Sequence, residues 1–345
     1  MKRPTGDLGA PEHLVRSVRR GLHLPAAWRV PLTPSSEGHA RARRWLFPTA
    51  LATLGATYLL AVLGSTVRVT ESGTGCKGWP LCDGQVGPVD QFHALIEQSH
   101  RYLAAAVTLG VVGTAVVAWR AGAGRAVLAP ALWATGLVGV QVVLGAVTVV
   151  TDNAPPTVAL HLVGALLLLA AVSATAVESH ARTGAEGSQA TCRVRAGPLA
   201  WWALGATFVL FVSGSLVVDG GASAACPSWP LCLPHAGVAS VLVAIQLVHR
   251  TMAAVAVVLL TVLAGRILVR RRRARPESAF TWTLLFLLPA QVAAGAASAL
   301  LRAPAAAQDV HLALAAAIWV DAVGLVTALR VPRGAPDVAR LSPTR

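Results

Sequence analysis

The feature that most constrains this chain is a series of eight apolar stretches, each long enough to cross a lipid bilayer. A helix rises about 1.5 Å per residue, so about 20 apolar residues span the ~30 Å hydrocarbon core. The stretches lie at residues 46–64, 94–118, 126–150, 157–177, 199–218, 238–264, 280–301 and 310–329. Only 13% of the 345 residues are charged, too few for a water-soluble protein of this length. We therefore predict an all-α membrane protein with eight transmembrane helices.

Basic residues are concentrated at the start of the first stretch and in every second connection that follows it. They are Arg41, Arg43, Arg44, Arg120, Arg125, Arg182, Arg193, Arg195, Arg266, Arg270, Arg271, Arg272, Arg273, Arg275, Arg330 and Arg333. The alternate connections hold little beyond Arg68, Lys77 and Arg302. By the positive-inside rule, both termini are cytoplasmic, and we expect a bacterial inner membrane. The net charge of +14 comes from short basic tracts between the apolar stretches rather than from one binding face. We therefore expect contact with membrane lipid and no nucleic-acid partner.

The second half of the chain repeats the first at an offset of about 150 residues. The matched landmarks are Gly64 and Gly214, CKGWPLC (76–82) and CPSWPLC (226–232), His100-Arg101 and His249-Arg250, Gln141 and Gln291, Gly145 and Gly295, and His161 and His311. Each copy has four spans, so both enter the membrane from the same side. The predicted fold is thus two parallel, pseudo-symmetric four-helix bundles, residues 45–178 and 198–330. A disordered polar tail (1–44), a linker (179–197) and a C-terminal tail (331–345) are expected in the cytoplasm.

Four histidines lie in the outer parts of the second, fourth, sixth and eighth stretches: His100, His161, His249 and His311. Ionisable residues inside a membrane are costly and usually functional. Two imidazoles on neighbouring helices can ligate a haem iron from both sides, and four-helix bundles often hold such groups. Alternatively, each histidine forms a structural hydrogen bond between helices. A structural zinc site would need four close ligands, which the pattern does not offer.

A carboxylate distinguishes the two halves. Glu97 lies three residues before His100, on the same helical face, and the matched residue of the second half is Gln246. Beside a haem, Glu97 could transfer a proton or stabilise positive charge, which an amide cannot do. We predict an active first half and a supporting second half. A di-iron site would need more carboxylates than the spans contain, and Asp321 in the eighth stretch has no acidic counterpart, since Ala171 stands there.

Four of the five cysteines form two C-x5-C pairs in the outer connections. Outside a bacterial inner membrane, Cys76 with Cys82 and Cys226 with Cys232 can form disulfides. These are structural staples or, alternatively, redox-active pairs. Cys192 lies in the cytoplasmic linker and should stay reduced. Arg101 and Arg250 follow two of the histidines and either pair with haem propionates or extend outward to water.

Together, TESGTGCKGWPLC, IEQSHR, VALHL around His161, PSWPLC, IQLVHR and DVHL around His311 resemble the haem A synthase family over residues 46–329. The resemblance implies an oxidoreductase that converts a ring methyl of farnesylated haem O, through an alcohol, to the formyl group of haem A for terminal cytochrome oxidase. It also implies that His100 and His161 hold the substrate haem, that Glu97 is catalytic, and that His249 and His311 hold a permanent, non-covalent haem b.

Three other functions fit parts of the pattern. A dihaem b-type electron-transfer cytochrome would share the histidines but gives no reason for Glu97. A thiol–disulfide oxidoreductase would use the loop cysteines but leaves the histidines unexplained. A transporter with parallel repeats needs polar residues near the bilayer midplane, whereas these cluster towards the outer side. The enzyme that makes haem O, a farnesyltransferase, is the expected protein partner of a haem A synthase.

Overall fold

The structure is a computed structural model that describes residues 36–86, 90–183, 190–192, 197–233, 237–269, 277–330 and 333–334. Its long helices are α1 (Ser36–Val69), α2 (Phe92–Arg120), α3 (Arg125–Val150), α4 (Pro155–Thr183), α5 (Pro198–Asp219), α6 (Ser240–Val269), α7 (Glu277–Leu300) and α8 (Ala305–Ala328). All 8 are long and apolar enough to cross a membrane. The prediction of an all-helical protein with eight transmembrane helices is confirmed for the described residues.

Several helices extend beyond the predicted spans. Helix α1 begins at Ser36, so residues 36–44, assigned above to the disordered tail, are helical. Its first turns contain helix-forming Ala, Arg and Glu residues, and Nε of Arg43 donates a hydrogen bond to the carbonyl oxygen of Ala121 after α2. Helix α4 likewise continues to Thr183, into the predicted linker. Residues 1–35, most of the basic linker residues and residues 335–345 lie outside the described residues.

The outward faces of the helices carry large apolar side chains. Leu109 is 76% exposed, Phe286 75% and Trp133 72%. Lipid tails rather than water are the natural surroundings of such a surface. The chain is therefore a multi-pass membrane protein.

Consecutive helices pack in pairs, and α8 lies at the centre of the contacts between the two halves. Helix α8 contacts α1 and α4 of the first half as well as α5 and α7 of the second. The hydroxyl of Tyr58 in α1 donates to the carbonyl oxygen of Ala313, at 3.1 Å. The indole N–H of Trp319 donates to the carbonyl oxygen of Leu166 in α4, at 2.9 Å. These bonds join segments far apart in sequence and fix the two halves against each other.

The two halves share local backbone conformations at matched positions. Asp152 and Asn153 have positive φ between α3 and α4, as do Arg302 and Ala303 between α7 and α8. In each case the second residue's N–H closes the preceding helix, bonding to Thr148 in one half (2.8 Å) and to Ser298 in the other (2.7 Å). This correspondence supports the predicted repeat, while the pseudo-two-fold relation of the bundles stays a prediction.

A short antiparallel pair of strands joins two segments outside the helices. Strand β1 (Ala190–Cys192) lies between the halves, and β2 (Arg333–Gly334) follows α8. The pairing connects the linker to the region after the last helix. Cys192 is thus part of β1, and its predicted reduced state stays a prediction.

Candidate functional site

Each of the four membrane histidines faces a glycine of the preceding helix. A Cβ added at Gly64 would lie 3.1 Å from Cε1 of His100, and one at Gly214 would lie 3.2 Å from Cε1 of His249. The corresponding distances are 3.5 Å from Gly145 to His161 and 3.0 Å from Gly295 to His311. The glycines therefore form notches that let each imidazole lie against the neighbouring helix backbone. The sequence comparison identified these glycines as repeat landmarks but did not predict their contact with the histidines.

The histidines form one pair in each half. His100 of α2 and His161 of α4 are close enough for their charges to interact, and so are His249 of α6 and His311 of α8. All four histidines are half-buried. The fold thus brings together the histidines that the sequence analysis had paired.

Polar neighbours hold some of these rings. With its amide nitrogen turned towards His161, Gln141 donates to Nδ1 of that ring at 3.2 Å. At the matched position, Nε2 of Gln291 lies 3.4 Å from Nε2 of His311. Among the described residues, Nδ1 of His100 and Nδ1 of His311 are buried without a hydrogen-bond partner. The protein thus leaves one nitrogen of each of these two rings unpaired, which is uncommon for buried polar groups.

Glu97 is buried beside the first histidine pair. It is only 3% exposed, and one of its oxygens, Oε2, accepts a hydrogen bond of 2.7 Å from the backbone N–H of Cys76. Its other oxygen, Oε1, accepts a bond from Nη2 of Arg101, one turn further along α2. Both oxygens accept, which is the pattern expected of an ionised carboxylate held in place. A buried charge of this kind needs such partners, because leaving it unpaired would lower the stability of the folded protein by about 5 kcal/mol.

Gln246 occupies the equivalent place in the second half but bonds differently. Its Nε2 donates to the carbonyl oxygens of Ala222 and Ser223, at 2.9 and 3.2 Å. Gln246 is therefore a donor that ties the loop to α6, whereas Glu97 is an acceptor. The two halves differ in chemistry at this position, as the sequence indicated.

Both arginines that follow the histidines are directed at the loops that contain CKGWPLC and CPSWPLC. Nη1 of Arg101 donates to the carbonyl oxygens of Gly78, Pro80 and Leu81, at 2.9 to 3.3 Å. Arg250 donates to the carbonyl oxygens of Ser228, Pro230 and Cys226, at 2.9 to 3.1 Å. In this structure the guanidinium groups hold the two loops above the histidine pairs. The contact with haem propionates stays a prediction.

The loops are closed by the predicted disulfides. Cys76 bonds to Cys82 and Cys226 to Cys232, which confirms both pairs. The sulfur-bearing residues of the first loop are buried, with Cys76 and Cys82 each 2% exposed. Through Arg101 and Arg250, each disulfide loop is hydrogen-bonded to the helix that carries the first histidine of its half.

A cavity of 520 Å³ opens between α6 and α7 in the second half. It is lined mainly by apolar side chains, among them Val257, Leu288 and Val292, with Trp229 of the outer loop at one side. Ala296 of its lining is adjacent to Gly295, the residue that faces His311. Its size is in the range of cofactor pockets, about 300–1,000 Å³. Its apolar lining suits a porphyrin, but neither His249 nor His311 is among the lining residues. The two imidazoles of each half are donors of the kind that haem iron takes.

Two further observations concern side chains of the types that can bind a metal ion. Within the described ranges, no group of three or more His, Cys, Asp and Glu side chains lies close enough to hold a metal ion. Asp321 is 6% exposed in α8, and its Oδ2 has no hydrogen-bond partner among the described residues. It lies one residue after Val320, whose carbonyl oxygen accepts a bond from Ser173 of α4, so it stands at the contact between the halves.

Eight helices able to span a membrane, with a pair of histidines and a disulfide loop in each half, define a polytopic membrane protein of two matched units. The chain matches the COX15-CtaA family model, described as cytochrome oxidase assembly protein, over residues 43–323. The chain belongs to this family. The match runs from α1 into α8 and includes both histidine pairs, Glu97 and all four loop cysteines.

The chain is similar to proteins named heme A synthase and to proteins named protoheme IX farnesyltransferase. The heme A synthase of Symbiobacterium thermophilum is 32% identical over 303 residues, 82% of this chain and 95% of that protein. A protoheme IX farnesyltransferase of Thermus thermophilus is 31% identical over 299 residues, 81% of this chain and 47% of that protein. One of Halobacterium salinarum is 38% identical over 144 residues, 41% of this chain and 31% of that protein. The matches thus span less than half of these two farnesyltransferases. The predicted family resemblance is confirmed.

Proposed function

We propose that this protein is a haem A synthase, an oxidoreductase that converts a ring methyl of haem O to the formyl group of haem A for terminal cytochrome oxidase. The observation that carries the proposal is the buried carboxylate of Glu97, one turn before His100, in only one of two matched histidine pairs. Similarity to a heme A synthase along 95% of its length supports the same function.

The first half is the proposed substrate site. His100 and His161 would hold the iron of haem O, each seated against a glycine of the preceding helix. Converting a methyl group to a formyl group adds one oxygen atom and removes four electrons, so the reaction needs an oxygen donor and an electron acceptor from outside the chain. A carboxylate beside the ring can accept a proton that the methyl group loses. A fixed negative charge there would also stabilise positive charge that develops on the substrate. Glu97 is suited to both roles because Cys76 and Arg101 hold its two oxygens.

The second half is the proposed cofactor site. His249 of α6 and His311 of α8 would hold a permanent haem b without a covalent link. When bound, a bis-histidine haem supplies reversible one-electron transfer. Gln246 cannot act as a proton acceptor, so this half would carry electrons without transforming its haem.

The outer loops complete both sites. Arg101 and Arg250 bind their carbonyl oxygens and hold each loop over the histidine pair below, which would exclude water from the bound ring. The disulfide Cys76–Cys82 is a structural staple in this account. Its contact with Glu97 also allows the alternative that it takes part in electron transfer.

The proposed location is a bacterial inner membrane, with both termini in the cytoplasm and the disulfide loops outside. Arg120, Arg125 and Arg182 lie at the helix ends opposite to the disulfide loops, as the positive-inside rule requires. The farnesyltransferase that makes haem O is the proposed partner. Two proteins named protoheme IX farnesyltransferase contain a segment similar to this chain, which favours direct transfer of haem O between the two activities.

Histidine variants test the assignment of the two sites. Replacing His249 or His311 by Ala should remove haem b from the purified protein, whereas replacing His100 or His161 should leave haem b and abolish haem A formation. A dihaem electron-transfer cytochrome would instead lose one unmodified haem in either case. Full b-type absorbance in His249→Ala would contradict the cofactor site.

A further inference from the structure

Ser213 of α5 contacts a proposed haem ligand directly. Its Oγ lies 3.0 Å from Nδ1 of His249 and 2.7 Å from the carbonyl oxygen of Leu210. A hydroxyl has a single hydrogen to donate, and a carbonyl oxygen can only accept. The hydroxyl therefore donates to Leu210, and its oxygen accepts from His249. The serine is 7% exposed, so water does not compete for either bond.

This arrangement determines the tautomer of His249. Since Nδ1 donates to the serine, Nδ1 carries the hydrogen of the neutral imidazole, and Nε2 presents its lone pair. An iron ligand needs that lone pair. Groups that bind the far nitrogen of a ligating histidine fix the ring orientation and increase its basicity as a ligand.

His100, the counterpart of His249 in the first half, lacks this support. Leu63 occupies the position that matches Ser213, directly before Gly64 as Ser213 directly precedes Gly214. A leucine side chain has no hydrogen-bonding group. Consistent with this difference, Nδ1 of His100 is buried and has no partner among the described residues. Among the described residues, no hydrogen bond at Nδ1 fixes the tautomer of His100, whereas one fixes that of His249.

We propose that Ser213 is the positioning residue that makes the second site retain its haem, and that Leu63 at the matched place lets the first site release its haem. The inference rests on the proposed function above, because it explains how one of two similar histidine pairs keeps a permanent haem b. The other pair must take up haem O and release haem A in every cycle.

The test compares haem release in single variants of the purified holoprotein. Ser213→Ala removes the hydroxyl, Ser213→Thr keeps it, and Leu63→Ala is the matched control in the first half. An excess of apomyoglobin captures released haem b, and the change in absorbance gives the rate. The reduction potential of haem b is measured on the same samples.

For Ser213→Ala we expect release of haem b about 10–100-fold faster than in the unsubstituted protein. Its reduction potential should rise, because a less basic imidazole stabilises the oxidised iron less. Ser213→Thr and Leu63→Ala should behave as the unsubstituted protein. Equal release rates and potentials in Ser213→Ala and the unsubstituted protein would overturn the inference, as would a Ser213→Thr variant that loses haem as fast as Ser213→Ala. If the unsubstituted protein holds no b-type haem at all, the proposed function itself fails.

Discussion

The backbone N–H of Cys76 donates a 2.7 Å hydrogen bond to Oε2 of Glu97. One residue of the first disulfide therefore contacts the proposed catalytic carboxylate directly. Arg101 strengthens the connection, since it binds the other oxygen of Glu97 and three carbonyl oxygens of the same loop. The position of Glu97 thus depends on the conformation of the loop that the disulfide closes.

Glu97→Gln should stop the reaction without removing the cofactor. The amide keeps the size of the side chain but cannot accept a proton or carry a negative charge, so haem A formation should fall at least about 100-fold. Glutamine is tolerated at the matched position of the second half, Gln246, which argues against a folding defect. Chromatography of extracted haems measures the product, and haem b content is the control. Normal haem A formation in this variant would refute the catalytic role of Glu97.

The two disulfides should differ in their effect on catalysis. Replacing both cysteines of either pair by Ala should lower the free energy of unfolding by about 2 kcal/mol, because each bond closes a short loop. Only loss of Cys76–Cys82 should also reduce haem A formation, since only that loop positions Glu97. Thermal unfolding and product analysis of both variants check this. Equal effects on catalysis would show that the contact with Glu97 is unimportant.

The glycine notches should control haem binding separately in each half. A methyl group at Gly214 would press on His249, so Gly214→Ala should lower the affinity for haem b about tenfold. Gly64→Ala should weaken binding of haem O and leave haem b in place, because its contact is with His100. Gly205→Ala in α5 is the matched control, since a Cβ there meets nothing within 4 Å. Haem titration of the three variants tests this, and unchanged binding of haem b in Gly214→Ala would contradict it.

The helices, the histidine pairs and the disulfides could be predicted from sequence because each depends on a local or repeated pattern. Apolar length defines the spans, and the repeat identifies which histidine corresponds to which. The glycines were visible as landmarks at the same offset. Their contact with the histidines could not be predicted, because it depends on which helix faces each glycine.

Contacts that depend on how side chains choose among several partners could not be predicted. Arg101 has a loop, a carboxylate and water within reach, and the sequence does not rank them. Ser213 looks like any small residue before a glycine until its distance to His249 is measured. Contacts across the halves, such as Tyr58 with Ala313, depend on packing between segments distant in sequence.

An ion pair across the two halves should contribute to stability. Arg68 at the end of α1 pairs with Asp219 at the end of α5 and also donates to the carbonyl oxygen of Ser215. The two side chains are 18% and 10% exposed, so Asp219→Asn leaves a largely buried cation without its partner. We expect a loss of about 3 kcal/mol in the free energy of unfolding.

A double-mutant cycle isolates this interaction. The double variant Arg68→Gln with Asp219→Asn should be less destabilised than the sum of the single variants, because no charge is left unpaired. Denaturant unfolding of the four proteins in detergent gives the coupling energy. Strictly additive effects would mean that the pair does not stabilise the contact between the halves.

The most direct test of the central claim is to extract and identify the haems of the purified protein, expressed with and without a supply of haem O. We predict haem b alone when haem O is absent, and haem b together with haems O and A when it is supplied. Haem b as the sole pigment under both conditions would contradict a synthase and favour an electron-transfer cytochrome. A protein without any haem would contradict the ligand role of all four histidines.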